Sequence, residues 1–219
     1  MFGKNPKLAP EKGDGGELKV TSIFLTIQGE GPYVGHQAVF IRLSGCNLAC
    51  DFCDTEFDSY KLLSVEEIVK VVMSIRDGAN LVVITGGEPM RQKIKLLCDN
   101  LLFRNFTVQV ETNGTIHTEI PKAVKLVCSP KASNGKYHSI RKDILEQTVA
   151  LKFLISKQNK EYCDISEVGQ SRYNIPVYVQ PMDEYDEFLN QNNLLLAQQV
   201  AKKHCAILSL QLHKILKID

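Results

Sequence analysis

Three cysteines stand within eight residues in the run from Cys46 to Cys53, which has the spacing CxxxCxxC. The run follows the apolar stretch 38–43, which predicts a strand, so the three thiols come at a strand's end. Thiolates are soft ligands that bind zinc and iron–sulfur clusters. A structural zinc site takes four ligands, usually as two CxxC-like pairs, and the sequence has no second pair nearby. Three thiolates would instead bind three irons of a [4Fe–4S] cluster and leave the fourth iron open for chemistry.

Other interpretations of the cysteine run remain open. The three thiols could be buried without a metal, or His36 could complete a zinc knuckle. A non-catalytic module, in which a metal only stiffens the loop, belongs to a different functional class and requires a fourth protein ligand.

The length, composition and charge of the chain limit which classes of protein it can belong to. The 219 residues are 44% hydrophobic, enough to bury a core, which predicts a single domain over 17–219. Residues 1–16 are rich in Gly, Pro and charge, which predicts a loosely packed N-terminal arm. The 26 basic and 25 acidic residues nearly cancel, so we expect no nucleic-acid partner and no anionic membrane partner. No apolar run is long enough to span a bilayer, and the N-terminus lacks an apolar signal core. Seven cysteines, an odd number, favour a reducing compartment, and we expect a cytoplasmic protein.

Short apolar runs alternate with helical patterns along the chain. Helices are predicted over 64–76, around 94–102, over about 157–168 and over about 194–204, the first with Ser64 and Glu67 as a capping box. The predicted strands are 20–27, 39–43, 81–85, 107–111, 125–128, 150–155, 177–180 and 207–212. This order predicts an α/β fold with an incomplete parallel (β/α) barrel, open on one side.

Polar or glycine-rich groups follow nearly every predicted strand. In a parallel barrel the carboxyl ends of the strands meet at one rim, so we expect these groups to build one site there. Besides the cysteines, they are 26–32 (TIQGEGP), 85–89 (TGGEP), 111–114 (ETNG), 129–131 (SPK) and 180–183 (QPMD).

Several of these groups have structural alternatives. The glycine pair before Glu88 could be an ordinary turn, although it would also expose backbone groups to a ligand, with Glu88 accepting an ammonium. Arg42 lies inside a β-branched strand, where a structural ion pair with Glu30 or Glu111 is the alternative to binding a ligand. The remaining cysteines, Cys98, Cys128, Cys163 and Cys205, are expected to be core residues.

Together these motifs, with the continuation Cys53-Asp54-Thr55 and the arm sequence FGKNP, resemble the 7-carboxy-7-deazaguanine synthases from end to end. That family belongs to the radical S-adenosylmethionine superfamily and serves queuosine and 7-deazapurine biosynthesis. The cysteine motif alone is typical of the superfamily, whereas the QGEGP loop and the Cys-Asp-Thr continuation favour this family. The resemblance implies a lyase that rearranges 6-carboxy-5,6,7,8-tetrahydropterin to 7-carboxy-7-deazaguanine with release of ammonia.

The resemblance also implies cofactors and roles for individual residues. Cys46, Cys50 and Cys53 would bind a catalytic [4Fe–4S] cluster, and Thr55 would bind Mg²⁺. The cluster would cleave S-adenosylmethionine to a 5′-deoxyadenosyl radical that abstracts a hydrogen from the pterin. The S-adenosylmethionine contacts would be Phe52, Cys53, Asp54, Gly87, Glu88, Glu111, Ser129, Pro130, Lys131, Gln180, Pro181, Met182 and Asp183. The substrate contacts would be Ile27, Gln28, Gly29, Arg42, Thr85 and the C-terminal residue Asp219.

Further implications concern partners and one departure from the family pattern. The resemblance implies a homodimer and an electron donor such as flavodoxin or ferredoxin. Where family members commonly have Gln-Thr-His-Lys, this chain has Gln211-Leu212-His213-Lys214, which removes a hydroxyl. Another radical S-adenosylmethionine reaction, such as activation of a glycyl-radical enzyme, would use the same cysteine spacing and is the alternative function.

Overall fold

The computed structural model describes residues 5–55 and 59–218, which form two compact units. The first unit contains 5–28, 36–55, 59–112 and 116–125, and the second contains 29–35, 113–115 and 126–218. Within these described ranges, no helix combines the length and the apolar character that crossing a bilayer requires.

Strands and helices follow one another along the chain, although two stretches, residues 17–64 and 107–137, contain several strands with no α-helix between them in the described residues. The strands are β1 (Glu17–Ile27), β2 (Gln37–Leu43), β3 (Lys61–Ser64), β4 (Leu81–Gly86), β5 (Thr107–Thr112), β6 (Lys125–Cys128), β7 (Ala132–Ser133), β8 (Lys136–Tyr137), β9 (Thr148–Ile155), β10 (Val177–Pro181) and β11 (Ile207–Leu208). The helices are α1 (Val65–Ile75), α2 (Lys95–Phe103), α3 (Lys142–Leu145), α4 (Gln170–Tyr173), α5 (Glu187–His204) and α6 (Leu212–Leu216).

The strands of the first unit lie in the order β3–β1–β2–β4–β5. The pairs β2–β4 and β4–β5 are parallel, as expected, whereas β1 is antiparallel to both β2 and β3. The prediction that β1 is one of the parallel strands is therefore wrong. A parallel pairing needs a crossover of a dozen or more residues, and residues 28–36 are too few for one.

Strand β2 of the first unit has a buried apolar face. On β2, Val39, Ile41 and Leu43 are fully buried, while the alternating residues Phe40 and Arg42 lie on the opposite face and are partly exposed. Helix α1 begins as predicted: the Ser64 side chain accepts from the Glu67 N–H at 3.2 Å, and the Glu67 carboxylate accepts from the Ser64 N–H at 2.8 Å. Such a reciprocal cap satisfies two N–H groups of the first turn.

The strands of the second unit lie in the order β6–β9–β10–β11, and all three pairings are parallel. Helix α5 packs on β9 and β10 through a buried apolar cluster: Ile155, Val179, Ala197, Val200 and Ala201. Helix α5 begins at Glu187, earlier than predicted, because the Asp186 side chain caps it by accepting from the Leu189 N–H.

Three expectations in the second unit are wrong. No long helix forms over 157–168: the Ser156 hydroxyl accepts from the N–H groups of residues 158 and 159, and only a 3₁₀ turn follows at Lys160–Tyr162. Strand β11 ends at Leu208 rather than at 212, since Leu212 begins α6. Cys163 and Cys205 are exposed rather than in the core, whereas Cys98 and Cys128 are buried as expected.

The described part of the N-terminal arm, residues 5–16, is held by backbone bonds rather than loosely packed. The Leu8 N–H donates to the Cys46 carbonyl oxygen at 2.8 Å, and the Glu11 N–H donates to the Arg91 carbonyl oxygen at 2.7 Å. The division into an arm over 1–16 and a single domain over 17–219 stays a prediction.

Candidate active site

The loop that carries the three cysteines follows β2 directly, as the sequence predicts. Cys46, Cys50 and Cys53 form no disulfide bond, and each is partly buried. The Cys53 N–H donates to the Cys50 carbonyl oxygen at 3.1 Å, and the Leu48 N–H lies 3.5 Å from Cys46 Sγ. The backbone of the loop is therefore folded on itself around its sulfur atoms.

The surroundings of Cys46 suit a metal-bound thiolate. Burial raises the pKa of the Cys46 thiol to about 11; the Leu48 N–H opposes this rise, and Glu88, Cys50 and Cys53 add to it. A thiolate beside a carboxylate and two more thiols needs a neighbouring cation, which iron supplies. The chemistry of this donor set therefore fits a [4Fe–4S] cluster.

A single metal ion fits the loop less well. Within residues 5–55 and 59–218, no three His, Cys, Asp or Glu side chains form a group that could hold one metal ion. In a [4Fe–4S] cluster each thiolate binds a different iron, so the thiols need not meet at one point. His36 comes just before β2 and the cysteines just after it, so seven extended residues, roughly 20 Å, separate them. The zinc knuckle with His36 is therefore wrong.

Thr55 follows the cysteines and contacts a candidate substrate residue. The Arg42 guanidinium donates to Thr55 Oγ1 at 3.2 Å, and that hydroxyl donates to Asp54 Oδ1 at 3.3 Å. Arg42 also lies over the ring of Phe24, 5.6 Å from its centroid. Phe52 is partly buried in the same loop, and Asp54 is exposed. The alternative of an ion pair between Arg42 and Glu30 or Glu111 stays a prediction.

The glycine pair after β4 has a structural reason beyond ligand access. A Cβ at Gly87 would collide with the Gly45 carbonyl oxygen, so a side chain cannot replace this glycine without moving the backbone before Cys46. The N–H groups of Gly87 and Glu88 donate to Leu43 and Gly45 carbonyl oxygens at 3.1 and 3.0 Å. The pair therefore fastens the end of β4 to the start of the cysteine loop.

Glu88 is fully buried. Its Oε1 accepts from the Met90 N–H at 3.0 Å and from the Thr112 hydroxyl at 2.8 Å. Thr85, three residues earlier, is partly exposed and lies beside Arg42 in the β2–β4 register. The carboxylate of Glu88 thus connects the end of β4 to the end of β5.

Glu111 receives two side-chain amides. Gln28 donates to Glu111 Oε1 at 3.1 Å, and Gln109 donates to the same oxygen at 2.9 Å. Gln28 and Gln109 are buried. Because β1 is antiparallel to β2, Ile27 pairs with Gln37 at the start of β2, away from the cysteine loop. Although β1 is antiparallel to β2, Gln28, the residue directly after β1, donates to Glu111 near the end of β5.

In the second unit the QGEGP loop is held by residues far away in the sequence. Glu30 forms an ion pair with Lys152 of β9 and accepts from the Gln211 amide at 2.9 Å. Burial raises the pKa of Glu30, but the charge and hydrogen bond of Lys152 outweigh it and bring the pKa to about 2. The Gly31 N–H donates to the Ser209 hydroxyl at 3.1 Å, which in turn donates to Gln180 Oε1 at 3.3 Å.

Gly29 lies against the segment in which the family's threonine is missing. The Leu212 N–H donates to the Gly29 carbonyl oxygen at 3.0 Å, and a Cβ at Gly29 would collide with the His213 ring. Position 212 therefore contacts the loop through its main chain, which a leucine provides as well as a threonine does.

The two remaining candidate segments also lie in the second unit. Lys131 Nζ donates to the carbonyl and hydroxyl oxygens of Ser129, both at 2.8 Å, and Pro130 between them is buried.

The other segment follows β10. Pro181 ends this strand, and Met182 is buried. Partial burial raises the pKa of Asp183, but the ammonium of Lys214 outweighs it, so that the pKa lies below its usual value. Lys214 Nζ lies 2.6 Å from Asp183 Oδ2. Asp219 lies outside the described residues.

Three residues at these positions were not expected from the sequence. They are Gln109, which donates to Glu111; Lys152, which pairs with Glu30; and Asn5, which donates to Cys53 Sγ at 3.6 Å. A glutamine or a lysine inside an apolar strand was a signal for the first two, because such a side chain is costly to bury without a partner. Asn5 lies in the arm sequence FGKNP, which carried the family resemblance but indicated no role for this residue.

Relatives of known family match this chain along its whole length. Residues 40–131 match the model of the Radical SAM superfamily. A 7-carboxy-7-deazaguanine synthase of Rickettsia prowazekii is 54% identical over 225 residues, covering 100% of this chain and 96% of that protein. The synthase of Rhodospirillum rubrum is 35% identical over 239 residues and covers 100% of both chains.

Solved structures agree on the fold. The crystal structure of QueE from Escherichia coli has a TM-score of 0.74 and 24% sequence identity, covering 90% of this chain and 95% of that chain. The structure of TYW1 with a lysine-pyruvate adduct bound has a TM-score of 0.53 and 15% sequence identity, covering 77% of this chain and 74% of that chain. The predicted α/β fold of the radical S-adenosylmethionine type is thereby confirmed. With the full-length identity to curated synthases, the chain belongs to the 7-carboxy-7-deazaguanine synthase family of the radical S-adenosylmethionine superfamily.

Proposed function

We propose that the chain converts 6-carboxy-5,6,7,8-tetrahydropterin to 7-carboxy-7-deazaguanine with release of ammonia. The observation that carries this proposal is the loop of three cysteines without a disulfide bond, in a chain that matches a synthase of this name along its entire length. The enzyme is a lyase of queuosine and 7-deazapurine biosynthesis.

Cys46, Cys50 and Cys53 would hold a [4Fe–4S] cluster. Their partial burial, mutual proximity and lack of disulfide bonds support this assignment. When bound, the cluster and S-adenosylmethionine supply a 5′-deoxyadenosyl radical. The role of the chain is to bind and orient the reactants and to exclude water around them.

The S-adenosylmethionine contacts are proposed by motif position. Glu88 suits the amino group of the cofactor because its carboxylate is buried and fixed by Met90 and Thr112. The full proposed set is Phe52, Cys53, Asp54, Gly87, Glu88, Glu111, Ser129, Pro130, Lys131, Gln180, Pro181, Met182 and Asp183.

The substrate contacts are proposed in the same way. Arg42 suits the pterin carboxylate because its planar guanidinium can donate two parallel hydrogen bonds. Gln28 is supported by its position beside Glu111, and Thr85 by its place next to Arg42 in the sheet. Ile27, Gly29 and Asp219 complete the proposed set.

Thr55 is the proposed ligand of Mg²⁺. Magnesium binds hard oxygen ligands and keeps several waters, so a single protein hydroxyl with substrate and water is a plausible shell. The contact between Thr55 Oγ1 and Arg42 supports this role, because it ties the metal ligand to the residue proposed to bind the substrate carboxylate.

A homodimer is the proposed assembly. Exposed apolar side chains near the end of the second unit support it: Ile207 (48%), Leu208, Leu210, Ile215 (62%) and Leu216 (50%). Burial of such side chains against a second copy would be favourable.

Three further points are proposed. Residues 17–219 act as one domain, and flavodoxin or ferredoxin supplies the electron. The protein is proposed to be cytoplasmic, which its seven cysteines without disulfide bonds support.

An anaerobic assay tests the proposed reaction. The cluster is reconstituted, dithionite, S-adenosylmethionine, Mg²⁺ and the carboxytetrahydropterin are added, and the deazaguanine acid is sought by mass and ultraviolet spectrum. Appearance of this product supports the proposal. If 5′-deoxyadenosine forms without any deazaguanine, the superfamily assignment stands and the proposed substrate is wrong.

A further inference from the structure

The segment 5–11, which we call the strap, runs along the loop of the three cysteines. Lys7 and Cys46 form a parallel β-bridge, in which the Leu8 N–H donates to the Cys46 carbonyl oxygen at 2.8 Å. At the other end of the loop, Asn5 contacts Cys53. The strap therefore touches both the first and the last cysteine of the motif.

The far end of the strap is fixed to a buried guanidinium. Arg91, which is 2% exposed, donates to the Ala9 carbonyl oxygen at 2.6 Å and to the Glu11 carboxylate at 2.8 Å. The Glu11 N–H returns a bond to the Arg91 carbonyl oxygen. Because this anchor combines charge with main-chain bonds, it holds the strap at a defined distance from the cysteines.

The amide of Asn5 lies between a cluster ligand and the proposed magnesium ligand. Its Nδ2 donates to the Thr55 carbonyl oxygen at 2.7 Å and to Cys53 Sγ at 3.6 Å. An amide nitrogen carries two N–H groups and can donate to both acceptors at once. The Cys53 thiol itself lies 3.6 Å from the Thr55 carbonyl oxygen, a contact that it makes as a donor. As a thiolate Cys53 has no proton to donate, and the Asn5 amide then donates to its sulfur.

We propose that Asn5 is a positioning residue that raises the reduction potential of the cluster held by Cys46, Cys50 and Cys53. This inference rests on the proposed function, which assigns the cluster to these thiols. Reduction adds one negative charge to the cluster and its thiolates, and an N–H donor to a ligand sulfur stabilises the more negative state. The strap thus makes it easier for the cluster to accept its electron.

Redox titration of the reconstituted cluster, followed by electron paramagnetic resonance, tests the inference. Asn5→Leu keeps a side chain of similar size and removes the donor, so we expect a more negative midpoint, with roughly threefold less reduced cluster at a fixed solution potential. Asn5→Asp adds a negative charge and should shift the midpoint further in the same direction. The control is Leu8→Ala, which keeps the N–H to Cys46 and should leave the midpoint unchanged. Iron and sulfide analysis shows that each variant carries its cluster.

Each other outcome overturns the inference in a recognisable way. If cluster-loaded Asn5→Leu and Asn5→Asp have the midpoint of the unmodified protein, the Asn5 amide does not tune the cluster. If Leu8→Ala shifts the midpoint as much as Asn5→Leu does, the strap acts by excluding water and the role of Asn5 is wrong. If the unmodified protein binds no four-iron cluster, the proposed function fails, and this inference fails with it.

Discussion

The side-chain amide of Gln109 donates to Glu111 Oε1 at 2.9 Å, which joins two residues on one face of β5. Gln28 donates to the same oxygen at 3.1 Å. Two neutral amide donors thus orient the carboxylate of Glu111. Gln109 is fully buried, and its Oε1 has no hydrogen-bond partner in the described part of the chain. Gln109 therefore orients Glu111 at a cost in folding stability, because its own buried oxygen is not hydrogen-bonded within the residues that the structure describes.

Gln109→Met should therefore separate activity from stability. We expect kcat/KM to fall about tenfold, because Glu111 loses a charge-assisted hydrogen bond. The Tm should not fall, because the change also removes a buried oxygen whose unpaired state costs about 1–3 kcal/mol. The measurements are steady-state kinetics and thermal unfolding, with exposed Thr107→Val on the same strand as control. An unchanged kcat/KM in the folded variant would show that Gln109 does not act through Glu111.

The contact between Leu212 and Gly29 predicts which substitutions position 212 tolerates. Leu212 is the first residue of α6, where proline fits the backbone, so Leu212→Pro removes the N–H donor to Gly29 without distorting the helix. We expect this variant to raise KM for the pterin and to lower the free energy of unfolding by about 1 kcal/mol. Leu212→Thr and Leu212→Ala keep the N–H and should change KM less than twofold. Equal KM values for the proline and alanine variants would contradict the main-chain role.

The ion pair of Glu30 and Lys152 predicts an acid-dependent loss of stability. The pKa of Glu30 is about 2 in the folded protein against 4.5 ordinarily, so its carboxylate stabilises the fold above pH 4.5. This contribution, of about 3 kcal/mol, is lost as the pH falls from 4.5 towards 2. Chemical denaturation at pH 6, 4.5 and 3 measures it.

The matched variants for this ion pair are Lys152→Met and Lys142→Met. Lys152→Met leaves the Glu30 carboxylate with little exposure and without its cation, and we expect a loss of about 3 kcal/mol at pH 6. The loss should be smaller at pH 3, where Glu30 can take up a proton. Lys142 pairs with Glu146 on the surface, so Lys142→Met should cost less than about 1 kcal/mol. Equal losses of unfolding free energy in both variants would show that the Glu30–Lys152 pair stabilises the fold no more than a surface ion pair does.

Thr55→Val should weaken the response to magnesium. It replaces the hydroxyl by a methyl group of similar shape, so we expect about tenfold more Mg²⁺ for half-maximal activity, while Thr55→Ser keeps the response. Chelation of Mg²⁺ should lower the activity of the unmodified protein and leave the cluster absorbance unchanged. A magnesium titration of Thr55→Val that matches that of the unmodified protein would remove Thr55 from the metal site.

Local signals predicted much of the fold. The Ser64–Glu67 capping box and the apolar face of α1 involve residues three or four apart, so the sequence alone contains them. The family and the α/β fold class were likewise predicted from motifs and are confirmed. The cysteine loop lies after β2 as expected, because a strand and the residues that follow it are contiguous in the chain.

The errors concern interactions over long sequence distances. The antiparallel direction of β1 depends on its pairing with β2 and β3. The partner of Glu30 is 122 residues away, and neither residue indicates the other. The expected helix over 157–168 fails because the buried Ser156 hydroxyl holds the following N–H groups in a turn, a burial that only the tertiary structure sets.

The most direct test of the central claim is product formation by the unmodified protein and by Cys50→Ala in parallel anaerobic reactions with S-adenosylmethionine, Mg²⁺ and the carboxytetrahydropterin. We predict 7-carboxy-7-deazaguanine from the unmodified protein and none from Cys50→Ala, which lacks one of the three thiols proposed to bind the cluster. Absence of both the deazaguanine and 5′-deoxyadenosine with a fully loaded cluster, or equal product from both proteins, would contradict the proposed radical chemistry at this cysteine loop.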